Sequence, residues 1–444
     1  MTPATAQGAP PPPAATAVAA RALALDLLDC VFGRRRPLDE ALESHPDAGR
    51  LDRRDRAFAL NLAVTSIRRV GQIDALIAHC LARALPEKAA AVRHLLRLGV
   101  CQLVFLRTPP HAAVDTTVAL ARRRGHAAHA GLINAVLRRL AREGPALAAA
   151  QDAARLNTPD WLWRSWTETY GEDLCRRIGE AHLREPPLDL TVNGTRAPAD
   201  LAARLAGTVL PTGTVRVDRR GPVTALPGFD SGAWWVQDAA AALPARLLGD
   251  VRGSTVVDLC AAPGGKTAQL AAAGALVTAV DRTPERVARL QGNLARLGLD
   301  AATVVADAAG WRPSQPADAV LLDVPCSATG TIRRHPDVAW LKTAADAASL
   351  AAAQDRLLAA AVEMVRPGGL LVYAACSLQP EEGPARIAAR LAADPRIRRV
   401  PVAAPEIGGL AELLDGNGDL RSLPCHLADQ GGVDGFYAAR LRRL

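Results

Sequence analysis

Two cysteines sit where a parallel sheet can present side chains to a ligand. Cys326 lies in Asp323-Val324-Pro325-Cys326-Ser327-Ala328-Thr329-Gly330, directly after the apolar run 319–322. Cys376 lies in Ala375-Cys376-Ser377-Leu378, directly after 370–374. Both runs read as strands, and open parallel sheets bind ligands beyond the carboxyl ends of their strands. A lone cysteine is more often a small buried hydrophobe than a nucleophile. Two at equivalent strand ends, one introduced by Asp-Val-Pro, point to thiol chemistry in a shared crevice.

A third element supplies a ligand for that crevice. Asp258-Leu259-Cys260-Ala261-Ala262-Pro263-Gly264-Gly265-Lys266-Thr267 follows the strand-like run 255–257 and leads into a helix over 268–273. Gly264 and Gly265 let the backbone approach a ligand, and the helix N-terminus offers free N–H groups to an anionic end. Lys266 is one of only three lysines, with Lys88 and Lys342, among 53 basic residues. A phosphate-binding P-loop needs glycine six positions before the lysine, where this chain has Cys260. Ala261-Ala262-Pro263 interrupts any G-x-G-x-x-G fingerprint and leaves fewer N–H groups for a pyrophosphate. The next apolar run, 276–280, ends in Asp281, where such folds place a ribose-binding acid, and the run 303–305 is followed by Asp307. A ligand with a ribose, a base and a small charged end, but no phosphates, fits this set. S-adenosylmethionine is the candidate.

Taken together, these motifs resemble those of the Nol/Nop/Sun family of RNA cytosine-C5 methyltransferases, in particular its bacterial Sun (Fmu, RsmB-type) branch, over nearly the whole chain. The cofactor motif is matched by residues 258–267, the Pro-Cys motif by 323–330 with Arg333-Arg334-His335-Pro336-Asp337 following, the Thr-Cys-Ser motif by Ala375-Cys376-Ser377, and the Asp-Gly-Phe-Phe motif by Asp434-Gly435-Phe436-Tyr437. Two departures are visible: Ala328 stands where the family usually has Gly, and Ala375 where it usually has Thr. The resemblance implies an all-α NusB-like N-terminal domain joined to an α/β Rossmann-like methyltransferase core with a mixed, mostly parallel sheet. It implies that Cys260, Ala261, Ala262, Pro263, Gly264, Gly265 and Lys266 wrap the methionine end of the cofactor, Asp281 the ribose hydroxyls and Asp307 the adenine edge. Asp323 would border both cofactor and target base. Cys376 would attack C6 of the cytosine, and Cys326 would assist loss of the C5 proton and release of Cys376. The implied substrate is 16S rRNA, with tRNA as an alternative.

These side chains need elements to hold them. With 444 residues the chain is long enough for about three domains. Residues 1–145 carry 21 basic and 12 acidic side chains, residues 146–444 carry 32 and 33, so the net charge of +8 belongs to the N-terminal part. Such asymmetry suggests a nucleic-acid-binding module ahead of a catalytic one. Individually, Arg34-Arg35-Arg36 and Arg122-Arg123-Arg124 read equally well as solvated faces. Apolar residues near the 3.6 period predict helices over 19–31, 53–69, 72–82, 90–105, 112–124 and 128–143. That region resembles the NusB-type helical RNA-binding domain, through Arg53-Arg54-Asp55-Arg56-Ala57, Leu96-Arg97-Leu98-Gly99 and residues 131–139. The connector reads as a small α/β subdomain with strands near 188–193 and 214–217 and a helix near 199–206. Trp161, Trp163 and Trp166 read as core residues, and Trp235-Val236-Gln237-Asp238 as a segment with no independent role. The expected domains are a disordered tail over 1–17, the helical module over 18–145, the connector over 146–240 and the methyltransferase domain over 241–444.

Composition excludes other classes. The eight cysteines are widely spaced, with no C-x-x-C pair, so neither a disulfide framework nor a metal site is expected. Free thiols suggest a reducing cytoplasm. The Pro/Ala/Thr-rich start lacks the basic residues and apolar run of a signal peptide, and no run of about 18 apolar residues suggests a membrane span. A monomer is expected. Two rivals remain. A DNA cytosine-C5 methyltransferase would attack with Cys326, and a non-enzymatic rRNA assembly factor would have lost the acids and cysteines that are all present here.

Overall fold

The structure, a computed structural model, describes residues 13–194, 196–218 and 221–444. They form two compact units: the described residues up to Trp163 together with His335–Leu341, and Arg164–Arg334 together with Lys342–Leu444.

The first unit is all helical. Helices span Pro13–Leu28, Leu38–Glu43, Arg53–Arg68, Val70–Cys80, Ala90–Val100, Pro110–Arg123, Ala130–Ala149 and Ala153–Leu156. Single π-turns, Asp29–Gly33 and Cys101–Phe105, carry the first and fifth onward to where the hydrophobic period predicted their ends. The helix at Arg53 starts cleanly because the Asp52 carboxylate accepts from the Asp55 N–H at 2.7 Å. The apolar stripes converge on one core containing Leu27, Leu62, Ile67, Leu95, Val100, Ile133 and Leu137. Gly99 allows close packing there: a Cβ on it would lie 2.6 Å from the Leu137 methyls, which would have to shift. Helix Pro13–Leu28 begins inside the predicted tail, so residues 13–17 are helical and the remainder of that expectation, residues 1–12, lies outside the described residues.

The second unit contains two sheets. Strands β1 (Leu188–Val192), β2 (Thr208–Val209), β3 (Val215–Val217) and β4 (Trp234–Val236) form an antiparallel sheet in the order β2-β3-β1-β4. Helix Pro198–Leu205 accompanies it, as predicted for the connector, and the segment given no role supplies β4. Trp166 is fully buried, whereas Trp161 and Trp163 are half-buried.

The larger sheet holds the predicted crevice. Its strands are β5 (Thr255–Leu259), β6 (Leu276–Asp281), β7 (Ala302–Val305), β8 (Ala317–Asp323), β9 (Val365–Ala375), β10 (Ile397–Arg399), β11 (Leu420–Ser422) and β12 (Phe436–Arg443). The order is β10-β12-β9-β8-β5-β6-β7, with β11 paired to β12. Strands β5 to β9 pair in parallel. β10, β11 and β12 run antiparallel to their neighbours, so the sheet is mixed and mostly parallel in its centre. Central strands read as unbroken apolar runs because both faces are covered: Val256 and Leu321 pack on one side, Val257 and Leu322 on the other. Helix Ala344–Met364, one of the covers, is started by a capping box between Thr343 and Asp346.

Candidate active site

Strands β8 and β9 are neighbours in register, Asp323 opposite Ala374. The two cysteines that follow them therefore leave the sheet side by side. Their Sγ atoms are 3.4 Å apart, and both thiols are partly buried. The Cys326 thiol is pushed well above its ordinary pKa, first by its hydrogen bond with Cys376, then by burial and by the fields of Cys376 and Glu382. Either thiol can be the donor in that contact. Lys266 and Arg334 are close enough to Cys376 for it to contribute, as a minor cause, to the upward shift of each.

The backbone around Cys326 is held by close approach. Gly330 N–H donates to the Cys376 carbonyl at 3.0 Å, and Gly435 N–H donates to the Gly330 carbonyl at 2.8 Å. A Cβ on Gly330 would lie 1.9 Å from the Gly435 carbonyl oxygen, so the Pro-Cys motif and the Asp-Gly-Phe motif are backbone to backbone. Ala328 has φ +58°, a left-handed conformation that glycine adopts without the steric penalty of a Cβ. The departure from the family's usual glycine therefore falls on a residue held in a glycine conformation. Nothing in the structure explains the other departure, at Ala375.

The glycine turn is built as the sequence suggests at one glycine of the two. Gly264 has φ +101°, and a Cβ there would lie 2.9 Å from Leu290 Cγ. Gly265 meets no such crowding and begins helix Gly265–Ala272. Lys266 does not reach into open solvent. Its Nζ lies 2.7 Å from Asp323 Oδ2 and 4.9 Å from the Phe436 ring centroid. Burial works to lower its pKa, but the charge and hydrogen bond of Asp323 outweigh this and the net shift is upward.

The remaining predicted residues gather at the other side of the turn. Cys260, Asp281 and Asp307 line one cavity with Arg282, Pro325 and Leu357. Asp281 is buried and its Oδ2 accepts the Ala262 N–H at 3.1 Å, with Arg286 at 3.3 Å. Pro263 and Ala262 offer their carbonyls to Asn293 and Arg286 at 2.8 and 2.7 Å, while Ala261 N–H donates to the Val280 carbonyl. The Cys260 thiol is pushed up to about 12, chiefly by burial, which suits a wall better than a nucleophile. Asp258 is fully buried; burial raises it to about 7, against a 2.6 Å hydrogen bond from Thr267. Asp258 Oδ1 has no hydrogen-bond partner. An orphaned buried acceptor beside a glycine turn is what a bound ammonium would satisfy. Together with the acid at the end of β6, it makes these residues fit S-adenosylmethionine. Among the described residues no cluster of His, Cys, Asp and Glu could hold a metal ion.

Several residues at the site carried no signal on their own. Arg333 pairs with Asp238 at 2.5 Å, and Arg334 donates from Nε and Nη2 to the one oxygen Asp434 Oδ2 at 2.8 and 2.6 Å. Asp238 also accepts the Asp434 N–H at 3.0 Å. This gives the Trp235-to-Asp238 segment its role. Gln237 adds to it, accepting from Thr191 and Trp235 at 2.9 Å and donating to Gln269 at 2.7 Å. Glu382, fully buried, was missed entirely. Arg333, Arg334 and Asp434 had places in the matched motifs, but nothing in the sequence signalled that they would meet Asp238.

Comparison with known proteins shows the family. Residues 245–442 match the family model for 16S rRNA methyltransferase RsmB/F, and residues 18–142 match the NusB family. The chain is 38% identical over 447 residues to the ribosomal RNA small subunit methyltransferase B of Pseudomonas putida, covering 96% of this chain and 98% of that relative. It is 40% identical over 365 residues to the protein of the same name from Sodalis glossinidius, covering 78% and 83%. Among solved structures, PH0851 superposes with a TM-score of 0.74 at 23% identity over 98% of this chain and 100% of that one. A methyltransferase homolog protein from Pyrococcus horikoshii superposes with a TM-score of 0.53 at 28% identity over 63% and 94%. With a near full-length relative at this identity and both domain models matched in order, the chain belongs to the RsmB/F family of S-adenosylmethionine-dependent rRNA methyltransferases, with a NusB-type domain at its front.

Proposed function

We propose that this protein transfers a methyl group from S-adenosylmethionine to C5 of a cytosine in 16S rRNA, giving 5-methylcytosine through a covalent adduct between Cys376 and C6. The observation that carries the reading is the pair of thiols 3.4 Å apart beside the Lys266–Asp323 ion pair. Cytosine C5 is a poor nucleophile while the ring is aromatic. Addition of a thiolate at C6 makes C5 enamine-like and divides one hard step into two. When bound, the cofactor supplies an electrophilic methyl group on its sulfonium.

The two thiols then divide the work. The Cys326 and Cys376 thiols share one hydrogen bond in which either can donate, and Cys376 attacks C6 as its thiolate with Lys266 and Arg334 nearby. Asp323, held by Lys266, lies at the strand end where it can accept from the N3/N4 edge of the base. Once Cys376 is bonded to carbon, the main cause of the raised Cys326 pKa is gone. Cys326 can then give its proton to solvent and take the C5 proton as the C6–S bond breaks. Cys376 departs as thiolate and Cys326 regains its proton, which restores the starting state. The target nucleotide must be unstacked to reach the pocket, favouring a loop or unfolded rRNA segment.

Asp281 and Asp307 flank the cavity in which the ribose and adenine would lie, and Cys260 to Lys266 the methionine end. The exposed arginines of the helical unit would hold RNA phosphates. Bisulfite sequencing of total RNA from a strain lacking the gene tests the reading. Loss of one 5-methylcytosine in 16S rRNA is expected; loss of one in tRNA alone would move the substrate, and no loss at all would overturn the reaction.

A further inference from the structure

Each catalytic-motif cysteine is followed directly by a serine, and both serines are tied to one carboxylate that the mechanism above does not use. Glu382, fully buried, closes the short turn Pro380–Glu382 after β9. Its Oε1 accepts the backbone N–H of Ser327 at 2.7 Å and the Gln354 amide at 3.3 Å. Its Oε2 accepts the Ser377 hydroxyl at 2.6 Å and also the Ser327 hydroxyl. The two hydroxyls are 3.2 Å from each other. Thr329 joins the Ser377 hydroxyl at 3.2 Å and accepts the Leu378 N–H at 3.0 Å. Tyr373 donates to the Glu382 carbonyl at 2.7 Å, fixing the turn from below.

A buried carboxylate is costly unless donors converge on it, and here four converge from the two loops and the helix behind them. We propose that Glu382 is a positioning residue that locks the Cys326 and Cys376 loops together and so sets the separation of the two thiols. The consequence for turnover rests on the functional reading above: the release step needs Cys326 beside a Cys376 that is bonded to RNA. The positioning itself does not depend on that reading.

The test reads thiol geometry in the full-length protein without substrate. Diamide oxidises two neighbouring thiols to one S–S bond; the two protons and two electrons reduce its N=N bond to a hydrazine. Peptide mapping follows formation of the Cys326–Cys376 disulfide in wild type, Glu382→Gln, Glu382→Ala and Glu382→Asp, with thermal melting to establish folding. A glutamine can keep the network, its oxygen accepting the Ser327 and Gln354 N–H groups and its amide donating to two hydroxyls that can accept. Alanine removes all of these bonds, and aspartate is one methylene too short to reach both loops.

Glu382→Gln should therefore oxidise within about threefold of wild type, and Glu382→Ala should be slower by at least about tenfold, because proximity is what makes the reaction fast. Glu382→Asp should fall between them and serves in place of the alanine variant if that one does not fold. A folded alanine or aspartate variant that oxidises at the wild-type rate would overturn the proposal, as would a glutamine variant as slow as alanine. In a parallel assay, Glu382→Ala should accumulate a denaturant-resistant RNA adduct, as expected of a release defect. Slow oxidation in a protein whose cysteines prove irrelevant to methyl transfer would leave the positioning standing and remove the functional reading instead.

Discussion

Lys266 Nζ stands 2.7 Å from Asp323 Oδ2, so the lysine of the glycine turn and the aspartate of the Pro-Cys motif form one ion pair across the cofactor crevice. The lysine side chain is 11% exposed and the aspartate 29%. The pair is therefore sheltered from solvent screening but open to a ligand on the aspartate side. On the proposed reading, the pair orients Asp323 for the base.

Removing the lysine should then act on the aspartate. Lys266→Met leaves a half-buried carboxylate without its charged donor, and kcat/KM for RNA methylation should fall by about 10–100-fold, the size of a lost hydrogen bond between charged groups. Cofactor affinity should change less than turnover. Steady-state kinetics with radiolabelled S-adenosylmethionine checks this. A variant with intact turnover would remove the pair from the mechanism.

Asp258 predicts a pH dependence of stability. Its folded-state pKa is raised from 3.8 to about 7 by burial, so the native state holds a proton that the unfolded chain releases. The stability this contributes is fully present below the unfolded pKa and is lost as pH rises through about 7. Between those limits wild type should lose melting temperature relative to Asp258→Asn. Saturating cofactor should blunt the slope, because an ammonium beside Oδ1 favours the charged carboxylate. Parallel slopes for wild type and variant would show that Asp258 does not titrate in this range.

Most of the site was legible because its elements are local. A strand, its terminal motif and the next helix are contiguous in sequence, so the ends of β5, β6, β8 and β9 could be read directly. The pairing of β8 with β9, which brings Cys326 to Cys376, follows from the same rule of parallel order. What was illegible is long-range. Strands β10, β11 and β12 pair antiparallel across gaps that no periodicity specifies. Asp238 meets Arg333 and Asp434 only after folding. Glu382 sits in a Pro-Glu-Glu turn that looks like ordinary solvated charge, and only the fold shows that one of its two acids is buried. The helical module was legible from its period, and helical structure packed with it continues past residue 145. Asn157, beyond the expected boundary at 145, accepts the N–H groups of Gly71 and Gln72 at 3.0 and 3.2 Å, so the helical unit continues to Trp163.

The arginines of that unit divide into two kinds. Arg97 is buried in a bidentate pair with Asp74 at 2.8 and 2.6 Å and stacks 4.6 Å over Phe32, and Arg124 pairs with Asp26 at 2.5 Å. Arg35 bonds the carbonyls of Trp340 and Leu341. These are structural. Arg53, Arg54, Arg122 and Arg123 are exposed. Charge reversal of Arg53 and Arg54 should weaken RNA binding and make its salt dependence shallower, by roughly 0.7 in log–log slope for each RNA phosphate that the protein no longer neutralises. Cofactor affinity should not move. An unchanged slope, measured by filter binding across a salt series, would take these two residues out of the RNA interface.

On the proposed mechanism the two cysteines should fail in opposite ways, one making the covalent bond and the other helping to break it. Cys376→Ala removes the proposed nucleophile, so neither methylated RNA nor a denaturant-resistant adduct should form. Cys326→Ala removes the thiol 3.4 Å away, the proposed proton carrier, and leaves attack and methyl transfer possible. A covalent protein–RNA complex should therefore accumulate with cofactor present, visible as a shifted band on a denaturing gel. The shift should be abolished in the double variant, since the adduct is carried by Cys376. An adduct from Cys376→Ala but none from Cys326→Ala would reverse the roles and favour the mechanism in which the Pro-Cys thiol attacks. Turnover unaffected by either substitution would exclude covalent catalysis for this chain.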